Sequence, residues 1–165
     1  MKLFLCSAAA MLLSASVLLA APPGGESKGM DNMKSLVGTW KGTDAEGNPI
    51  TISYRLVSDG STLMETLDMG EHKESMVTMY HGDNEKTLMT HYCSMGNQPT
   101  MKLESSKDGK LTFSFVSATN LKSADDPHMQ KLIVTIKDDN HFSQEWVSLA
   151  DGKETPHMFS YERVQ

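Results

Sequence analysis

Hydrophobic and polar residues alternate with a period of two along most of the chain after position 36, which is the pattern of β-strands buried on one face. The clearest alternating sets are Ile50, Ile52, Tyr54 and Leu56; Leu111, Phe113 and Phe115; Leu132, Val134 and Ile136; and Phe142 and Trp146. We expect these apolar faces to share one interior. The segments 61–69 and 73–81 carry Met on both parities, so the pattern leaves their inner faces undetermined.

Turn signals separate the alternating segments at short intervals, and three of them are Asp-Gly pairs, which favour tight hairpins. They divide the chain into ten predicted strands, near 37–45, 50–58, 61–69, 73–81, 86–93, 100–106, 110–118, 128–137, 141–149 and 155–164. No helical crossover lies between them, and a meander of this length would leave unpaired edges unless it closed on itself. The sequence therefore predicts an all-β fold, an antiparallel up-and-down ten-stranded β-barrel.

A short N-terminal helix is predicted over residues 30–36, where Met30, Met33 and Val37 fall near one face and Asp31 is suited to the first turn. Two helical turns are not stable alone. We therefore expect this helix to pack on the barrel.

The first 21 residues have the pattern of a secretory signal peptide, because Lys2 precedes a run of small and aliphatic residues. This predicts a secreted, periplasmic protein with no stable membrane insertion once the segment is removed. Residues 22–29 are rich in Pro and Gly, which predicts a linker. Residues 30–165 then form the barrel domain.

Charge and cysteine content narrow the classes of partner. The formal net charge of −6 becomes −7 when Lys2 is removed with the first 21 residues, and no basic cluster offsets it, which opposes binding to nucleic acid or anionic membranes.

Cys93 is then the only cysteine, so it forms no intrachain disulfide and is either a buried structural thiol or a functional one. Eleven of the 13 methionines lie at Met30 or later, where they fill a core, line a pliable ligand cavity or bind a soft metal.

The short helix, the run Gly38-Thr39-Trp40 on the first strand and the run Tyr161-Glu162-Arg163 on the last strand together resemble the calycin superfamily. That group includes lipocalins, fatty-acid-binding proteins and nitrobindin-like barrels. The resemblance implies that Trp40 packs at the closed end of the barrel and that Arg163 lies over it. A guanidinium on an indole face contributes about 1 kcal/mol, so both residues are expected to be structural.

A second resemblance rests on the run Thr90-His91-Tyr92-Cys93-Ser94-Met95-Gly96-Asn97-Gln98-Pro99. Further matching positions are Asn120, His128-Met129, Gln144-Glu145-Trp146 and Asp151-Gly152-Lys153. Over residues 33–165 the chain resembles a family of secreted bacterial proteins of unknown function with a lipocalin-like barrel. This implies a fold and no established activity. The loop Gly96-Asn97-Gln98-Pro99 is either a rim element that contacts a ligand or an ordered turn.

Strand parity selects the candidate ligand-binding residues, which are His91, Cys93, His128, His157, Phe159 and Tyr161. Counting back from Arg163 turns the members on the last strand inward, and His128 shares the apolar parity of its own strand. On the strand near 86–93, one face carries Met89 with His91 and Cys93, and the other carries Leu88 with Thr90 and Tyr92. The pattern does not decide which of these two faces is inside.

Three interpretations of this set stay open. The polar side chains are part of a hydrogen-bonded core, or they anchor a small apolar molecule or lipid in a pocket. Alternatively His91, Cys93, His128 and His157 bind copper or haem. In nitrobindin-like barrels the axial histidine lies six residues before a terminal basic residue, and His157 and Arg163 have that separation. We predict no cofactor, with haem or copper as the minority alternative.

Recognised catalytic motifs are missing from the sequence: it has no Gly-x-Ser-x-Gly elbow, phosphate loop, dinucleotide fingerprint or His-Glu-x-x-His. Glu65 and Glu145 are candidates for the cavity, but neither has a carboxylate partner close in sequence. The leading hypothesis is non-covalent binding of a small apolar or amphipathic ligand in a barrel cavity. The alternatives are haem or soft-metal binding, a small-molecule-modifying enzyme, and a structural barrel with a filled interior.

Overall fold

The computed structural model describes residues 28–44, 46–70 and 75–165. Helix α1 spans Lys28–Lys34, and the ten strands are β1 Gly38–Thr43, β2 Pro49–Val57, β3 Thr62–Asp68, β4 Met76–Asp83, β5 Lys86–Tyr92, β6 Gln98–Lys107, β7 Lys110–Thr119, β8 His128–Asp138, β9 His141–Ala150 and β10 Lys153–Arg163. Consecutive strands pair antiparallel, and β1 also pairs with β10, which closes the sheet. The predicted ten-stranded antiparallel barrel is confirmed. The predicted signal peptide lies outside the described residues.

The barrel has two ends of different construction. The turns after β2, β4, β6 and β8 meet at the same end as α1, and we call this end the floor. The turns after β1, β3, β5, β7 and β9 meet at the opposite end, which we call the mouth. No helix among the described residues is long and apolar enough to span a membrane.

Trp40 and Arg163 organise the floor. The Arg163 guanidinium carbon lies 4.0 Å from the centre of the Trp40 ring, so the expected contact is present. Arg163 also donates hydrogen bonds to the carbonyl oxygens of Val37 at 2.8 Å, Ser35 at 3.0 Å and Asp139 at 2.7 Å. The indole N–H of Trp40 donates to the carbonyl of Leu36 at 2.8 Å. Arg163, the last residue of β10, therefore also holds the segment that follows the helix in place through hydrogen bonds.

Helix α1 covers the floor with a different set of residues from the one expected. It begins at Lys28, inside the predicted linker, and ends at Lys34. Met30 and Met33 are buried as expected, but Val37 is 40% exposed and the buried third member is Leu36. The correction has a simple cause: Val37 lies beyond the end of the helix, where it no longer follows the helical period.

The structure decides the strand faces that the sequence left open. On β3 the inner face carries Leu63, Glu65 and Leu67, while Met64 points outward. On β4 the inner residues include Thr78 and Tyr80. On β5 the inner face is the one shared by Met89 and His91, and Cys93 just beyond the strand end is also buried. The interior of the barrel therefore contains several polar groups among its apolar side chains.

Candidate functional site

A buried carboxyl group, that of Glu65, lies at the centre of the barrel interior. Its Oε2 accepts hydrogen bonds from the Tyr80 hydroxyl at 2.8 Å and from Nε2 of Gln144 at 3.1 Å. Its Oε1 accepts one from the Thr78 hydroxyl at 3.2 Å. These side chains come from β3, β4 and β9, and we call them, together with Tyr54 of β2, the central cluster. The carboxyl is therefore fully supplied with donors.

Burial dominates the electrostatics of the central cluster. Removal from water raises the pKa of Glu65, and the hydrogen bonds from Tyr80 and its neighbours only partly oppose that rise. Burial, followed by repulsion from Glu65, raises the pKa of both Tyr54 and Tyr80 well above the usual value. Both phenols therefore remain protonated donors throughout the physiological range.

Gln144 connects the central cluster to two more aromatic side chains. Its Nε2 donates to the Tyr54 hydroxyl at 2.9 Å as well as to Glu65. Its Oε1 lies 3.3 Å from the indole nitrogen of Trp146 and 3.4 Å from the hydroxyl of Tyr161, both of which donate to it. The amide thus uses both of its ends, and its orientation is fixed by the donors and acceptors around it.

His91 extends this network from the central cluster toward the mouth. Its Nδ1 lies 2.9 Å from the Thr78 hydroxyl, and its ring lies 4.5 Å from that of Trp146. Burial lowers the pKa of His91 to about 4, so the ring is neutral at physiological pH.

The inner face at the mouth carries partly exposed apolar side chains. Met69, Met76, Met129 and Phe159 pack against the buried core while remaining accessible, and we call these four residues the mouth ring. Met76 is paired with the buried Leu67 in the sheet register, which fixes its side chain on the inner face. Three of the four members are methionines, whose flexible side chains adapt to irregular partners.

Cys93 and Asn97 lie at the turn between β5 and β6. The backbone N–H of Cys93 donates to the carbonyl of Asn97 at 3.3 Å, which continues the β5–β6 register into the turn. Since directly opposed residues share a face, the Asn97 side chain lies on the inner side with Cys93. Both are buried, and burial raises the pKa of the Cys93 thiol, so it is largely protonated near neutral pH.

The two remaining histidine candidates lie apart from His91. His128 is buried against the ring of Phe115, 4.7 Å away, and its Nδ1 lies 2.7 Å from the carbonyl oxygen of Asp126. His157 has the inward parity expected of it, being paired with Trp146, but its side chain is exposed. Its Nε2 lies 3.0 Å from the hydroxyl of Ser148. His157 therefore lies on the barrel rim.

The predicted metal ligands do not form a cluster. Among the described residues, no three side chains of His, Cys, Asp or Glu are grouped in a way that could hold a metal ion. Of the two aromatic candidates, Tyr161 is buried in the floor half, stacked 4.7 Å from Phe142, and Phe159 belongs to the mouth ring. His91 and Cys93 therefore lie toward the mouth end of β5, whereas Phe159 and Tyr161 are neighbours on β10, with their ring centres 6.5 Å apart.

Sequence reasoning named Glu65 as one of two possible cavity acids but missed its partners. Glu145 lies on the outer parity of β9, beside the inner residue Gln144. Thr78 and Tyr80 were missed because the methionines of that strand obscured its parity. The alternation Leu63-Glu65-Leu67 was a usable signal, since it places a carboxylate between two apolar inner positions.

Two depressions of the barrel wall stand apart from the mouth. One of about 380 Å³ is lined by residues that include Lys41, Lys137 and Tyr161. The other, of about 560 Å³, is lined by residues that include Lys107 and Lys110. Neither is lined by the candidate histidines at positions 91, 128 and 157 or by Cys93.

Comparison with known proteins supports the fold. The chain is similar to a protein of unknown function from the DUF3598 family of Nostoc punctiforme, with a TM-score of 0.53 and 16% sequence identity over 80% of this chain and 49% of that one. It therefore spans about half the length of that protein, and at this identity the likeness shows the fold alone. No protein-family model matches the chain. No curated protein matches it either.

Proposed function

We propose that this barrel binds a small amphipathic molecule non-covalently at its mouth, with the apolar part of the ligand against the mouth ring. The observation that carries the proposal is the mouth ring itself: Met69, Met76, Met129 and Phe159 lie on the inner face, pack on the core and remain accessible. Binding sites typically combine an apolar wall of this kind with a few converging polar groups.

The polar groups below the mouth ring support the same proposal. A barrel with a purely structural role does not need polar groups in its interior, because a buried polar network often contributes no more to stability than apolar side chains of similar volume. This interior instead holds Glu65 and His91, and burial shifts the pKa of both. Buried groups with shifted pKa values are enriched at functional sites. His91 lies near the end of β5 that faces the mouth.

The ligand makes room for itself by displacing methionine side chains. Each methionine has three rotatable bonds, so moving it costs less than moving a branched or aromatic residue. The closed sheet leaves the backbone of Met76 and Met129 held by hydrogen bonds to neighbouring strands while their side chains rearrange.

Two further parts of the proposal rest on the sequence. We assign the chain to the calycin-type barrels, which the barrel closure and the Trp40–Arg163 contact support. We also place the mature protein outside the cytoplasm, in the periplasm, on the basis of the apolar segment that follows Lys2. A signal-peptide fusion to alkaline phosphatase tests the second point, because that enzyme is active only after export; an inactive fusion contradicts it.

A fluorescent apolar probe tests the binding site. N-phenyl-1-naphthylamine becomes bright on entering an apolar site, and we expect saturable binding to the folded protein. Replacement of Met76 by Lys puts a charge on the inner face of the mouth and is expected to weaken binding at least about tenfold, since burying an unpaired ammonium is costly.

The matched control is Met79→Lys, on the same strand but on its outer face. It introduces the same charge without reaching the mouth, so probe affinity should stay within about twofold of wild type. Failure of the wild-type protein to bind the probe contradicts the proposal. Equal weakening by both substitutions shows that the probe binds elsewhere.

A further inference from the structure

One buried hydrogen-bonding atom at the mouth has no partner. Asn97 is 4% exposed, and its Oδ1 is the single buried side-chain oxygen or nitrogen of the described residues that makes no hydrogen bond. Leaving a buried acceptor unpaired destabilises the folded protein, so nearly all such groups have partners. A ligand that supplies the missing donor removes this cost.

The orientation of the Asn97 amide is fixed by its other end. Nδ2 donates to the carbonyl oxygen of Pro127 at 2.8 Å. Because a carbonyl can only accept, the nitrogen must face Pro127, and flipping the amide would place two acceptors against each other. Oδ1 is therefore directed away from Pro127, and it has no hydrogen-bond partner among the described residues.

The turn that carries Asn97 is held in place from two sides. Nδ2 of Asn120, at the end of β7, donates to the carbonyl of Gly96 at 3.1 Å and to Oε1 of Gln98 at 3.3 Å. The Thr119 hydroxyl also donates to Oε1 of Gln98. With the bond to Pro127, the β5–β6 turn is anchored to both ends of the β7–β8 connection. Such anchoring pre-organises an acceptor, which lowers the entropic cost of using it.

We propose that Oδ1 of Asn97 accepts a hydrogen bond from the ligand of the mouth site, so that the ligand belongs to the class of apolar molecules carrying an N–H or O–H donor. The inference rests on the proposed binding function and narrows it.

A pair of probes that differ by one donor tests the inference. N-phenyl-1-naphthylamine has an N–H, and its N-methyl derivative has none. We expect the wild-type protein to bind the N–H probe about tenfold more tightly, the factor that one additional hydrogen bond supplies. The Asn97→Leu substitution should bring the two affinities within about twofold of each other.

Two further variants separate recognition from scaffolding. Asn97→Asp keeps an acceptor oxygen and loses the bond to Pro127, so it should retain the preference for the N–H probe. Asn120→Ala loosens the same turn without touching the acceptor and should also retain it. Loss of the preference in Asn120→Ala as well as in Asn97→Leu indicates a purely structural role and overturns the inference.

The remaining outcomes are also decisive. Equal wild-type affinity for the two probes overturns the role of Asn97 and leaves the binding function standing. A preference that survives Asn97→Leu but disappears in His91→Phe assigns the acceptor to His91 and overturns the proposal for Asn97. Absence of binding by either probe overturns the proposed function and this inference together.

Discussion

The floor and the mouth of this barrel are built from the same strands, but they differ in how completely their side chains are packed and hydrogen-bonded. At the floor, Trp40 lies edge-on to Phe142 at 4.7 Å, helix α1 covers the opening, and Arg163 donates to three backbone carbonyls. At the mouth, three methionines are left partly exposed and Asn97 has an unpaired oxygen. The floor side chains are packed and hydrogen-bonded within the protein, whereas the mouth keeps exposed apolar surface and an unpaired acceptor.

This difference shows how a closed sheet can separate stability from binding. The sheet closes on itself, so every strand pairs with two neighbours, although residues 153–159 of β10 pair with β9 alone. The floor then needs one cluster of buried side chains to seal it. The central cluster around Glu65 lies between the two ends and forms a polar boundary between them.

Methionine truncation at the two ends gives the largest expected contrast. Met33 is fully buried at the floor, so Met33→Ala should lower the free energy of unfolding by about 2 to 5 kcal/mol. Met76 is partly exposed at the mouth, and Met76→Ala should cost less than about 1.5 kcal/mol, because the site is already open to water. Urea unfolding of both variants measures the difference, and equal costs would remove the distinction between the ends.

Acidification should lower the stability of the folded protein through His91, which lies between the central cluster and the mouth. Between pH 6.5 and about 4 the unfolded chain takes up a proton at His91 that the folded protein excludes. Stability should therefore fall as the pH drops through this window, by up to about 3 kcal/mol from this residue. The His91→Gln substitution removes the titrating group, so that loss is absent in this variant.

Glu65 acts in the opposite direction over an overlapping range. Its pKa is raised in the folded protein, so the folded state holds that proton more tightly and stability falls as the pH rises above 4.5. The contribution of His91 is therefore read from the difference between wild type and His91→Gln at each pH. A difference that does not change between pH 7 and pH 4 contradicts the buried, neutral histidine.

The two arginines of the described chain offer a smaller test of the floor. Arg163→Ala removes three hydrogen bonds and the contact with Trp40, and we expect it to cost about 2 kcal/mol, a value reduced by partial exposure. Arg55→Ala removes an exposed side chain next to Met64 and should change stability by less than about 0.5 kcal/mol. Thermal unfolding of the pair suffices, and similar shifts in both would show that the floor contact is not stabilising.

Most of the barrel could be predicted from the sequence, because each strand carries its own period-two pattern and each turn its own Gly, Asp or Asn signal. The contact between Trp40 and Arg163 could be predicted only through the resemblance, since the two residues lie near opposite ends of the domain's sequence. These features depend on local pattern or on a familiar pair of positions.

The candidate site was predicted only in part, because it depends on register and on depth within the barrel. The inner position of His91 followed from one of two parities, and the structure was needed to choose between them. His157 has the correct parity and is still exposed, because parity says nothing about height along the barrel axis. A register shift between Met129 and Lys131 on β8 also interrupts simple alternation near His128.

The pairing of β1 with β10 also governs when this protein can fold. The strand that closes the barrel spans Lys153–Arg163, so the contact between Trp40 and Arg163 joins residues synthesised near the beginning and the end of the barrel domain. Pairings between residues so far apart in sequence form slowly, because a large loop must close, at a cost in entropy, before the stabilising contacts are made. The domain therefore remains open, with the unpaired edges of β1 and β9 exposed, until β10 has been made.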